Sequence, residues 1–140
     1  MLNAFVDSVY EALAADTTLQ TKISGGASDK KIYNVIARQD ATLPYIVIGF
    51  LTGVPMEVFR SLDAMEDCTV YVNIFSETGS AKEAGEILDL VKAVLDDDDL
   101  TITGYTNMVC RREFIGAVTY DIDTQVWMIP MRYRIWGDKD

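Results

Sequence analysis

The stretch from Cys68 to Leu95 constrains the fold more than any other. Thr69-Val70-Tyr71-Val72-Asn73-Ile74-Phe75-Ser76 alternates and is rich in β-branched and aromatic residues, so it predicts a strand. Shortly after it, Ala84, Ile87, Leu88, Val91 and Leu95 fall on one helical stripe. Ser80 followed by Glu83 has the spacing of a capping box, worth about 1 kcal/mol at a helix start. A strand thus passes through a short polar turn straight into an amphipathic helix. In an enzyme such a turn often holds a phosphate loop or a nucleophile. This one has neither a Gly-rich phosphate motif nor a Gly-x-Ser-x-Gly elbow. The strongest structural signal carries no chemistry, which turns the search away from catalysis.

The rest of the chain reads around that unit. Leu2, Phe5, Val6, Val9 and Leu13 form a stripe, predicting a helix over 2–15, and Asp16-Thr17-Thr18 ends it. Leu19 and Ile23 fit one short further turn, and Gly25-Gly26-Ala27-Ser28 is a loop. Ile32–Ile36 predicts a short extended segment. Leu43–Leu51 predicts a central strand opened by Pro44 and covered on both faces. Residues 52–67 lack clear periodicity yet carry Met56, Val58, Phe59 and Met65. Such a segment is either a hairpin folded back on its own domain or an arm packing on another subunit. Those four residues are the candidate subunit interface.

Three further strands are predicted, at Leu100–Val109, Arg111–Tyr120 and Thr124–Trp136, the last two joined by a turn at Asp121-Ile122-Asp123. In the last strand Trp127, Ile129, Met131, Tyr133 and Ile135 share one face, and Val126, Met128, Pro130, Arg132 and Arg134 the other. Pro130 cannot donate to a ladder, which predicts an edge strand or a bulge. The expectation is an α+β fold: a mostly antiparallel sheet of about 4–6 strands on two main helices, in one domain over residues 1–140.

Composition narrows the function classes. The net charge is −10, so nucleic-acid phosphates, which are bound through Lys and Arg, would be repelled. No apolar run approaches the roughly 20 residues that span a bilayer. The N-terminus has no basic region and is acidic by Asp7, unlike a signal peptide, so a soluble cytoplasmic chain is the expectation. There is no His, which removes the commonest general base and the Ser/His and Cys/His pairs. Cys68 and Cys110 sit inside predicted strands and read as buried free thiols. Neither cofactor nor metal is implied.

Carboxylates are the remaining route to catalysis. Glu66-Asp67 and Asp121/Asp123 sit at predicted strand ends or turns, where Asp serves local backbone bonding. Asp96-Asp97-Asp98-Asp99 lacks the alternating ligands, central Gly and distal Glu of a calcium loop, and reads as a solvated acidic turn. Strand alternation sends Arg111 and Arg112 to opposite faces, so they make no phosphate clamp by themselves and suit salt bridges instead.

Four segments in order carry a likeness. They are Val9-Tyr10-Glu11-Ala12-Leu13-Ala14-Ala15-Asp16-Thr17-Thr18-Leu19 in the first helix; Lys31-Ile32-Tyr33-Asn34 leading to Leu43-Pro44-Tyr45-Ile46-Val47-Ile48-Gly49; Thr69–Ser76 entering the helix near Ser80; and the closing strands with Tyr120-Asp121 and Met131-Arg132-Tyr133-Arg134-Ile135. In this order they resemble the phage tail-completion or tail-terminator family, over nearly the whole chain. The resemblance implies a structural virion protein and no enzyme. It implies a homo-oligomeric ring, typically a hexamer, on the head-proximal end of the tail tube. The implied partners are further copies of the chain, the tail tube protein and a head connector or stopper, with DNA passing through unbound and no membrane involved. In such a ring Asp96, Asp97, Asp98 and Asp99 are the candidate lumen-facing residues, since like charge keeps DNA sliding within about 8 Å. Two other classes stand beside this one: a small non-enzymatic α+β binding module, and a carboxylate-dependent hydrolase.

Overall fold

The final strand organises the sheet. The computed structural model describes residues 2–37, 39–58, 61–77, 81–96 and 104–139, with backbone alone at 2–3, 52–58, 61–66, 106–108 and 138–139. Its elements are α1 (Leu2–Ala15), α2 (Thr17–Ile23), β1 (Ile32–Asn34), β2 (Tyr45–Val58), β3 (Ser61–Ser76), α3 (Lys82–Leu95), β4 (Tyr105–Ile115), β5 (Thr119–Asp121) and β6 (Val126–Lys139). β6 has β3 on one side and both β4 and β5 on the other, giving the order β1-β2-β3-β6-β4. Every pairing is antiparallel except β1 with β2. The α+β expectation holds, with six strands and a third, short helix.

Alternation decides which face is buried. Cys68, Val70, Val72 and Ile74 of β3 and Ile129, Met131, Tyr133 and Ile135 of β6 point to one side and are buried. The stripes of α1 (Phe5, Val6, Val9, Leu13) and α3 (Ala84, Ile87, Val91, Leu95) meet them in one core. Each such aliphatic or aromatic side chain contributes about 1.5–3 kcal/mol when fully buried, so the stripes, rather than helix propensity, hold the helices on the sheet. Among the described residues all three helices lie on this face and none on the opposite one.

Helix starts differ from the sequence expectation. Asp16 caps α2, its Oδ1 accepting from Leu19 N at 2.9 Å, so the predicted short turn becomes a seven-residue helix. The capping box expected at Ser80 and Glu83 falls partly outside the described residues. The N-cap of α3 is Ala81, with no side-chain hydrogen bond, and Ser80 lies outside the described residues. Glu83 accepts from the buried Ser76 hydroxyl at 2.8 Å, tying the end of β3 to the first turn of α3.

Of the two alternatives for residues 52–67, the hairpin is the one seen: residues 52–58 and 61–67 pair as the outer part of β2 and β3, with Pro55 opposite Glu66, Met56 opposite Met65 and Val58 opposite Ser61. Mixed hydrophobicity hid the pairing, since the segment gains its order from a partner strand. Three further strand expectations are corrected. β2 is not central; β3 and β6 are, and β2 has only the short β1 beyond it. Nor does the chain break at Cys110. β4 runs through it to Ile115, and the break falls at residues 116–118.

Pro130, finally, lies in an interior strand, opposite Asn73 of β3. Its carbonyl accepts from Gly116 N at 2.8 Å, so this residue's polar groups face the β4/β5 side. The missing N–H therefore points at the gap between β4 and β5. An interior strand tolerates proline where its neighbour is interrupted.

Candidate functional site

Several carboxylates, Asp67 and Asp121 of the catalytic candidates among them, hold the fold together. Asp67 takes a two-pronged bond from Arg134, at 2.9 and 2.6 Å. Asp121 accepts from Asp123 N at 3.0 Å and Thr124 N at 3.4 Å, closing its own turn. Asp29 accepts from Tyr33 Oη at 3.0 Å. Glu86 pairs with Lys22, which lowers its pKa and raises that of the amine. Among the described residues no three His, Cys, Asp or Glu gather as a metal site.

Asp96 is the member of the acidic run that the structure describes. It caps α3 at the C-terminus, where negative charge is unfavourable. Two partners compensate: the Tyr133 hydroxyl donates to Oδ1 at 2.7 Å, and Arg112 approaches Oδ2 at 3.3 Å. Burial, and then the bond to Asp96, push the Tyr133 phenol well above its ordinary pKa. Asp96 is therefore half-buried and internally engaged at the start of the run. Asp97, Asp98 and Asp99 lie outside the described residues, as does Phe59; Met56, Val58 and Met65 are placed in the hairpin by backbone alone.

Cys68 and Cys110 are buried thiols that form no disulfide, as expected. Both lie opposite Ile135, on either side of β6. Two strand spacings separate them by about 9–10 Å, beyond the reach of a disulfide.

The helix-free face of the sheet carries an arginine–aromatic network. Arg132 lies 4.8 Å from the centre of the Phe114 ring; Arg134 and Arg111 lie 5.2 and 5.6 Å from that of Trp136. Arg111 and Arg112 do take opposite faces, one toward Trp136 and one toward Asp96. The alternation of β6 already placed Arg132 and Arg134 together; their aromatic partner Phe114 was hidden by the irregularity between Arg112 and Phe114. Farther along, Tyr45 contacts Tyr33 and Phe75. Tyr71 lies across Gly49, where a Cβ would meet its ring at 2.3 Å, so glycine is required for this packing. A hollow of about 380 Å³ opens beside Tyr45, Phe75 and Met128, but its one carboxylate, Asp121, is spent on its own turn. The face offers shape and charge for contact, with no convergent reactive groups.

Residues 7–138 match the family described as Tail completion protein gp17. The chain belongs to that family. Two solved structures share the fold. One is a chain from the virion of a native gene transfer agent particle, with TM-score 0.80 and 12% identity, over 97% of this chain and 96% of that one. The other is gp17 of bacteriophage SPP1, with TM-score 0.62 and 21% identity, over 95% and 88%. No curated protein matches the sequence. The tail completion protein is a structural component of the phage tail, located in the virion at the tail and neck.

Proposed function

We propose that this tail completion protein assembles, as one unit over residues 1–140, into a ring that caps the head-proximal end of the tail tube and joins it to the head connector. A hexamer is the stoichiometry of this reading, and DNA crosses the ring without specific binding. The observation that carries it is membership of the tail completion family across residues 7–138. The engagement of Asp67, Asp96 and Asp121 in structural bonds supports a role without catalysis. In this ring Met56, Val58 and Met65 of the β2–β3 hairpin, together with Phe59, contribute to subunit contacts. The acidic run lines the channel through Asp97, Asp98 and Asp99, with Asp96 anchoring its start.

Negative-stain imaging of tail tubes mixed with the purified protein tests this. The expected images show a ring at one tube end and tubes that no longer lengthen. Tubes that keep polymerising, with bare ends, overturn the reading.

A further inference from the structure

The sheet face opposite the helices is uneven in shape and in charge. Register and alternation set out its side chains in rows across the strands. One row runs Tyr45, Phe75, Met128 and Thr119. The next holds Val47, Asn73 and Pro130. Then come Gly49, Tyr71, Arg132 and Phe114, and after them Thr69, Arg134 and Arg111. The first row opens into the hollow of about 380 Å³, with Tyr45, Phe75, Val126 and Met128 among its walls. The last two rows hold the guanidinium groups that lie against the Phe114 and Trp136 rings. An apolar socket and a cationic patch therefore share one face.

The patch is not neutralised from within. Asp67 engages Arg134 with both oxygens, and Glu113 lies near enough to act on the same guanidinium. Arg132 is exposed and has no carboxylate partner among the described residues; its neighbour is the Phe114 ring, 4.8 Å away. A guanidinium stacked on a ring keeps its N–H donors at the edge, where a carboxylate can take two of them at once. In a chain with a net charge of −10, such a cation is complementary to an acidic partner.

We infer that this face seats an extended acidic segment of another virion component, with an apolar side chain in the hollow and carboxylates over the arginine rows. The inference rests on the reading above that the chain joins other parts of the tail. Rows on a sheet face repeat every about 6.7 Å, and so do the side chains on one side of an extended segment. A segment laid along β6 therefore places one side chain over each row. Met128 and Arg132 are two rows apart, about 13 Å, so the apolar anchor and the first carboxylate sit four residues apart in the partner. A second carboxylate two residues farther meets the row of Arg111 and Arg134. Nucleic acid is the poorer occupant, because Asp67 and Glu113 flank the arginines and the chain as a whole repels phosphates.

The probe is a fluorescein-labelled synthetic peptide carrying a tryptophan and, four and six residues on, two glutamates, made in both chain directions. Binding to the full chain is followed by fluorescence anisotropy. The expected result is saturable binding below about 1 mM that weakens as salt rises. Arg132→Glu should lower the affinity about tenfold or more, as should glutamine for the peptide's glutamates or alanine for its tryptophan. Circular dichroism checks folding, and Arg132→Gln replaces Arg132→Glu should the latter lose its native spectrum. No binding of either peptide, or binding that the Arg132 variant leaves unchanged, overturns the inference. The peptide needs no ring, so those results leave the ring reading, tested by tube imaging, standing. Displacement of the peptide by duplex DNA assigns the face to nucleic acid, and wild-type self-association that Arg132→Glu abolishes assigns it to a second copy; either overturns the inference as well.

Discussion

Tyr133 joins the core to the surface. Its ring is buried under α3, and its hydroxyl meets Asp96 where the helix ends beside Arg112. Removing the hydroxyl leaves Asp96 with Arg112 alone at a helix end that disfavours negative charge. Tyr133→Phe should cost about 1.5 kcal/mol near neutral pH, measured by urea unfolding. The pH dependence has a definite sign. The folded-state pKa is raised above the ordinary 10.0, so folding favours the neutral phenol. That contribution is complete below the unfolded value and declines as pH rises above it, because the unfolded chain then releases a proton the folded chain keeps. The wild type should therefore lose stability more steeply than Tyr133→Phe above about pH 10. Parallel curves for the two proteins would show that Tyr133 is not held neutral by the fold. Of this arrangement, the burial of Tyr133 was legible in the alternation of β6. Its bond to Asp96, 37 residues away in the chain, was not, since no local pattern encodes a contact between a helix end and a distant strand.

At the scale of elements, the β4–β5 break explains why an interior strand contains proline. Gly116 donates to Pro130 O, and a Cβ on Gly116 would stand 2.7 Å from Pro130 Cγ. Gly116→Ala should cost about 1–3 kcal/mol through overpacking, read as a fall in the thermal midpoint. In a Pro130→Ala background the same change should cost less, since the opposing ring atom is gone; an equal cost in both backgrounds would separate the two sites. Gly116 and Pro130 were both visible in the sequence, but only their register shows that each accommodates the other. The same distinction runs through the fold. Elements with strong intrinsic periodicity, such as α1, α3 and the inner halves of β3 and β6, were legible from residues alone. The outer half of the β2–β3 hairpin was not, because partner strands rather than its own pattern order it. The bond between Glu83 and the buried Ser76 hydroxyl, seven residues apart across the turn, likewise depends on the packing of strand and helix.

On the scale of the whole molecule, the charge and the exposed apolar side chains make opposite demands. A chain at −10 repels its copies, whereas covering an exposed apolar side chain such as Ile36 or Ile122 is favourable. Salt separates these terms. Raising sodium chloride from about 0.1 M to about 1 M shortens the Debye length from about 10 Å to about 3 Å, which removes repulsion between surface charges and leaves apolar contacts intact. Self-association measured by sedimentation should then strengthen with salt. The arginine–aromatic face supplies the contrasting case. Arg111, Arg132 and Arg134 lie together there, and a contact made by them on an acidic neighbour would weaken as salt rises. Strengthening assigns the contact to apolar surface and not to the arginine face. Weakening assigns the contact to the arginine face. Arg132→Glu should then abolish the assembly while Ile122→Asp leaves it unchanged.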